Sequence, residues 1–236
     1  MFDNTAHFVA VIADGLLVTL QATVGGILLA TVLSLVAGLA MLSRITVVRV
    51  ITRTYVEIWR GTSEVVQLFW IYFVLPVLTG FQLLPLWAGV VVLGLNFGAY
   101  GAEIVRGAVQ SVPREQYEGC VALNFTPWQR MRRVILPQAL VEMVPPFNNL
   151  FIQLLKGTAL LTFITVPEMT HQASVILVPS FTGEVAQIFT ITLLFYLVLS
   201  IVITLVMRGV ERWAAAKVGR TPRKRDVALG KGGGVA

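Results

Sequence analysis

The chain has 236 residues, 56% of them hydrophobic and 13% charged, with a mean hydropathy of +0.81. Soluble domains carry about 25% charged residues, so composition excludes a water-soluble globule and points to a membrane protein. The net charge of +6 does not point to nucleic acid, because the basic residues fall into a few blocks between apolar runs, which is a topology signal rather than a binding stripe.

The first 13 residues lack a basic n-region, and the apolar run after them is too long for a cleavable signal. The first span is expected at about residues 16–41. At ~39 Å it exceeds the hydrocarbon core, which predicts tilt or fraying. Ala22, Gly26, Ala30, Ser34 and Gly38 recur every four residues, a stripe that lets another helix approach closely. A short loop with Arg44, Arg49 and Arg53 leads to a second span at about 58–78, ended by Pro76. Glu57, Arg60 and Glu64 stand at i, i+3 and i+7, on one face if the helix is continuous. The third span is expected at about 86–110, with Gly94 and Gly98 as a packing pair. Asn96 and Tyr100 lie within it, and Glu103 can pair with Arg106.

Residues 113–138 are polar and basic between two apolar runs. They read as two short helices joined by a turn. The first runs from about Pro113 to Leu123, and Asn124 suits the left-handed residue that closes a helix. The second starts at Thr126, with Pro127 at the first helical position and Gln129 placed for a capping box; Pro137 is expected to break it. The one cysteine, Cys120, excludes an internal disulfide and reads as a small apolar residue.

The fourth span is expected at about 144–166, opened by Pro145-Pro146 and carrying Gln153, Lys156, Gly157 and Thr158. A lysine at bilayer depth costs about 3 kcal/mol or more unless paired or hydrated. Two readings stand for Lys156: a group facing a pathway, or a structural partner of Glu103 or Glu64. Residues 167–184 are expected to form an amphipathic interfacial helix and a loop. His171 alone makes no metal site, because a cluster of ligands is absent. The fifth span is expected at about 185–207, and residues 214–236 form a basic tail. GKG in that tail is no phosphate-binding loop, since Arg225 and Gly232 stand where glycine and Ser or Thr are required. Lysines and arginines flank the first-to-second loop, the 113–138 loop and the tail; the other flanks carry only acids. Five spans with the N-terminus periplasmic and the C-terminus cytoplasmic satisfy this asymmetry, placing Arg49 and Lys224 inside and Glu168 outside.

Glu118, Ala122, Leu123, Gln129, Val134, Leu136, Pro137, Gln138 and Ala139 resemble the "EAA" loop of permease subunits of bacterial ABC importers. Gly119 and Cys120 stand where that family usually has alanines, and Asn124 where it has glycine. Arg60-Gly61-Thr62-Ser63-Glu64-Val65-Val66-Gln67 resembles the "RGTPLLVQ" of the polar amino-acid branch, with Ser63 and Glu64 as departures. Leu155-Lys156-Gly157-Thr158-Ala159-Leu160 resembles its "LKdTSL". The resemblance covers about residues 15–213. It implies an all-α membrane protein with the type I ABC importer permease fold, five transmembrane helices in a single transmembrane domain (1–213), in the bacterial inner membrane. Glu118, Gly119, Cys120, Val121, Ala122, Leu123 and Asn124 would then couple to a cytoplasmic ATPase subunit. Glu64, Gln67, Asn96, Tyr100, Gln153, Lys156 and Thr158 would line a substrate pathway, with Glu64 either at substrate or gate or part of an ion-paired stripe. The implied partners are the membrane, ATPase subunits, a second permease copy or homologous permease, and an extracytoplasmic solute-binding protein. No nucleic acid is implied. The chain itself would hold no cofactor and perform no catalysis; ATP and Mg would act on the partner ATPases. An amino acid, or a cyclic amino-acid-like solute such as ectoine, fits as substrate. A self-contained channel or secondary carrier is the competing reading, weakened by the absence of an internal repeat.

Overall fold

The computed structural model describes residues 4–218, which are helical with no strand among them. We number the helices α1 (Thr5–Asp14), α2 (Leu16–Ala40), α3 (Thr46–Gly61), α4 (Glu64–Thr79), α5 (Pro85–Gln110), α6 (Arg114–Ala122), α7 (Pro127–Ile164), α8 (169–180) and α9 (Val185–Lys217). Four helical stretches are long and apolar enough to cross a membrane, and five if α3 and α4 are counted as one bent span.

The centre of the fold is the pair α2 and α5. The small-residue stripe of α2 is buried along its length, from Ala22 to Gly38. Gly38 faces Ala102 and Val105, and Gly101 of α5 sits directly against Ser34, whose hydroxyl also reaches the Gly98 carbonyl at 3.2 Å. A side chain at either glycine would force the helices apart. Packing of this kind replaces the hydrophobic drive that lipid cannot supply. α7 packs on α5, and α9 packs on α7. α1 and α8 form a smaller cluster with the first turns of α9, built on Phe8, Ile12, Met169 and Ile188.

The second span differs from its expected bounds of 58–78. The chain breaks at Thr62–Ser63, and α3 and α4 meet at 105°. Ile58–Gly61 therefore belong to the preceding helix, and Glu64 starts a new one rather than sharing a face with Glu57 and Arg60. The fourth span also differs: α7 begins at Pro127 and runs through Pro137 and through Pro145-Pro146 to Ile164, tightening to a 3₁₀ helix over Thr158–Ile164 just past Gly157.

Prolines are tolerated here for a local reason. A π turn ends two residues before Pro76 (Trp70–Val74), before Pro137 (Met131–Ile135) and before Pro179 (Gln172–Leu177). Proline lacks an N–H and its ring crowds the carbonyl four residues back. Widening the preceding turn moves that carbonyl aside, so the helix continues. α9 runs to Lys217, past the expected end at 207, and so takes in the first four residues of the expected tail. The rest of that tail, Lys224 included, lies outside the described residues apart from Val218.

Candidate functional site

α6 is a short helix closed by local bonds at its C-terminus. Pro113 precedes it in an extended conformation, and Glu115 sits in its first turn. At its C-terminus Asn124 adopts φ 57°, the Asn124 amide donates to the Val121 carbonyl at 2.9 Å, and the Phe125 amide donates to the Cys120 carbonyl at 2.9 Å. These two bonds form a Schellman closure with asparagine in the left-handed position. The next helix starts at once: Thr126 Oγ1 accepts from the Gln129 amide at 3.3 Å, and Gln129 Oε1 accepts from the Thr126 amide at 3.0 Å. Both ends rest on local chemistry that the residues themselves specify.

The loop is tied to the bundle by its inner face. Cys120 is buried, so it anchors α6 rather than presenting a contact. The Tyr117 hydroxyl donates to the Val109 carbonyl at 3.2 Å, and the Arg130 guanidinium lies 5.7 Å over the Tyr117 ring. Burial pushes the Tyr117 phenol up, and the Arg130 charge draws it back. Gln138 donates to Gln116 at 3.2 Å. The outer face carries Glu118, Gly119, Val121, Ala122, Leu123 and Asn124, all exposed. Leu123 is 70% exposed, and so is Trp128 beside it. The sequence reading did not single out Trp128; a tryptophan directly after a capped Pro, in a stretch otherwise polar, was the available signal, since exposed Trp favours interfaces.

The seven pathway candidates separate. Gln67, Asn96 and Thr158 are buried. Gln67 Nε2 donates to the Trp59 carbonyl at 2.9 Å and to Thr62 Oγ1 at 2.6 Å. Asn96 Nδ2 donates to the same Trp59 carbonyl at 3.0 Å and to Gln67 Oε1 at 2.9 Å. These amides bind backbone groups freed by the break between α3 and α4, so their N–H groups fasten the bend, while Asn96 Oδ1 has no partner among the described residues. The Thr158 hydroxyl donates to the Leu155 carbonyl. Tyr100 is partly exposed; Arg60 stacks 5.1 Å over its ring and lies 3.8 Å from Glu103, which also accepts from Arg106 at 2.6 Å. Glu103 is thus taken, and Lys156 forms no ion pair with it or with Glu64.

Three candidates remain open to a pathway. Gln153 and Lys156 are exposed, three residues apart on α7. Glu64 is half-buried at the start of α4, its carboxylate close enough that a methyl group on Gly157 would lie 3.6 Å from it. Among the described residues Lys156 and Glu64 form no ion pair, and Glu64 lies near Gly157, the residue after Lys156. No group of three or more metal-ligating side chains exists among the described residues.

Residues 19–216 match the family described as "Binding-protein-dependent transport system inner membrane component". The chain belongs to this family. It is 42% identical over 208 residues to the probable amino-acid ABC transporter permease protein y4tF of Sinorhizobium fredii, covering 84% of this chain and 87% of that protein. It is 36% identical over 214 residues to the glutamine transport system permease protein GlnP of Escherichia coli, covering 89% and 97%. Among solved structures it resembles that of an amino acid ABC transporter with histidines, at 30% identity and a TM-score of 0.80, over 90% of this chain and 98% of the other. The MetNI methionine ABC transporter, at 20% identity and TM-score 0.71 over 86% and 96%, shares the fold. The expected type I permease fold therefore holds. As an ABC importer permease, the chain is a multi-pass inner-membrane subunit that works with a second permease, ATPase subunits and a binding protein. This supports the permease-subunit reading over a self-contained channel or carrier.

Proposed function

We propose that this permease carries a polar amino acid across the inner membrane, with ATP and Mg acting only on its partner ATPases, and that α6 is the helix through which ATPase motion enters. The amino-acid relatives favour an amino acid over ectoine. The observation that carries the coupling role is α6 with the turn after it: a helix closed at its C-terminus and tied down on its inner face, with Val121, Leu123 and, at the start of α7, Trp128 exposed. A rigid lever with an apolar tip suits a groove on a partner, and Glu118 at the rim would set its geometry.

The chain supplies no bond chemistry. Two packings of the bundle alternate, and each partner binds one of them better. Lys156 and Gln153, exposed on α7, and Glu64, whose carboxylate lies near Gly157, are the charged and polar groups available to the ammonium and carboxylate of a zwitterion. The cytoplasmic placement of α6 rests on the one-sided distribution of arginine. Glu168 cannot report topology by labelling because it is fully buried; exposed Gly183 can. In right-side-out vesicles lacking Cys120, an impermeant thiol reagent is expected to label Gly183→Cys and to leave Arg132→Cys unlabelled; the reverse pattern overturns the orientation. Co-purification with an ATPase subunit, followed by uptake of amino acids in reconstituted vesicles, tests the function. ATP-dependent uptake that no amino acid supports overturns the substrate class.

A further inference from the structure

The helix before the 105° bend has three faces, not two. Val48, Thr52, Tyr55, Val56 and Trp59 turn inward, and Tyr55 donates to the Leu95 carbonyl at 2.8 Å. Val47, Val50, Ile51 and Ile58 fall on a second sector, and each is more than half exposed. Arg49, Arg53, Glu57 and Arg60 fall on a third, between the other two. A helix that crosses a bilayer has no use for a charged sector along its whole length. A helix in water has no use for an uncovered apolar one.

The charges are also uncommitted. Arg60 is held by Glu103 and Tyr100, but Arg44, Arg49 and Arg53 form no ion pair among the described residues. α4, the segment beyond the bend, is about 24 Å long and runs at 105° to α3. If α4 follows the membrane normal, α3 lies near the membrane plane. It also packs against Ala37 and Met41 at the end of α2, the end that leads into the Arg-rich stretch and so, by the arginine distribution, faces the cytoplasm.

We propose that α3 lies flat in the inner-leaflet interface, with Val47, Val50, Ile51 and Ile58 among acyl chains and Arg44, Arg49 and Arg53 on the phosphates of anionic phospholipids. Apolar sector, basic sector and orientation together are what an interfacial helix requires. The occupant is lipid rather than a partner protein because an excess of unpaired arginine borders the apolar sector, complementary to an anionic surface. The bend is fastened to α5 by Gln67 and Asn96, so lipid that orders α3 also fixes the start of α4.

The test uses the assembled transporter, with Cys120→Ala, in vesicles of phosphatidylcholine with or without phosphatidylglycerol. Spin labels at Val47→Cys, Ile51→Cys and Ile58→Cys span about 16 Å of helix. The expected result is high and equal oxygen accessibility at all three, with a label at Arg53→Cys reached by a water-soluble nickel chelate. A steady change in depth from Val47 to Ile58 makes α3 a crossing segment and overturns the proposal. Labels shielded from both oxygen and nickel place a second permease or the ATPase on this face and also overturn it. For the lipid class, the ratio of phosphatidylglycerol to phosphatidylcholine retained on extraction is measured. It is expected to fall by up to about fivefold per arginine in Arg44→Gln, Arg49→Gln and Arg53→Gln, and to hold in Arg132→Gln. An equal fall in Arg132→Gln, or none in the three, refutes recognition of anionic lipid by this helix.

Discussion

Asn96 and Gln67, from different helices, converge on one carbonyl, that of Trp59. The carbonyl lies at the end of α3, where no helical amide follows to satisfy it, so two side chains do so instead. Asn96→Leu removes one of these donors and leaves Gln67 Oε1 unbonded in a buried site, a loss of roughly 1–3 kcal/mol. The expected outcome is a lower unfolding temperature and less assembled transporter, with the KM for solute unchanged in what assembles. A raised KM at normal stability would return Asn96 to the pathway.

Lys156 is expected to behave differently. It is exposed and forms no ion pair among the described residues, so Lys156→Met should leave assembly and ATPase binding intact and lower uptake about tenfold or more. Lys156→Arg keeps the charge and should recover part of the loss. Normal uptake in Lys156→Met removes it from the pathway; failure to assemble makes it structural.

Two substitutions on α6 separate geometry from affinity. Glu118→Ala should leave much of the ATPase bound while hydrolysis no longer tracks uptake. Leu123→Asp should release the ATPase, because it places an unpaired charge where an apolar anchor docks, at roughly 2–4 kcal/mol. Pull-down with each variant, beside hydrolysis and uptake, reads both. Wild-type binding and uptake in Leu123→Asp would remove α6 from the interface.

Glu168 should make stability depend on pH. It is buried between α7 and α8, and accepts from the amides of Thr170 at 2.8 Å and His171 at 2.7 Å and from the Tyr196 hydroxyl at 3.0 Å. Burial pushes its carboxyl up to about 6 from the usual 4.5, against the pull of those bonds. The folded state then holds the proton more tightly than the unfolded state. The stability it confers is complete below about pH 4.5 and lost as the pH rises to about 6, a change of about 2 kcal/mol. Unfolding temperature measured across that window should fall with rising pH, and Glu168→Gln should flatten the slope. An unchanged slope in Glu168→Gln assigns it to another group.

The parts that could be read from residues alone were those set by neighbours in sequence. Asn124 and the Thr126–Gln129 box fix the end of α6 and the start of α7, and the small residues of α2 declare a close helix contact. The bend at Thr62–Ser63 was not read, because the apolar run continues across it and Glu57, Arg60 and Glu64 keep a helical spacing. Gly61 followed by Ser63 and Glu64 was the available signal, a helix stop beside a helix start. Pro137 and Pro145 misled in the opposite direction, since the rule that proline ends a helix holds only where the preceding turn cannot widen or bend. Gln67 and Asn96 could not be told from pathway residues, because a buried amide serves a carbonyl or a solute equally well and only tertiary contact decides.

The three π turns have a mechanical consequence. Each holds one residue more than an α-turn, and that surplus can be handed along a helix as its two ends slip past one another, with no backbone group bared to lipid. α2 and α5 contain no such turn and are locked by Ser34 against Gly101. α2 and α5 thus form a stiff spine beside three jointed members, α4, α7 and α8. A change of packing at those joints would leave every helix wound.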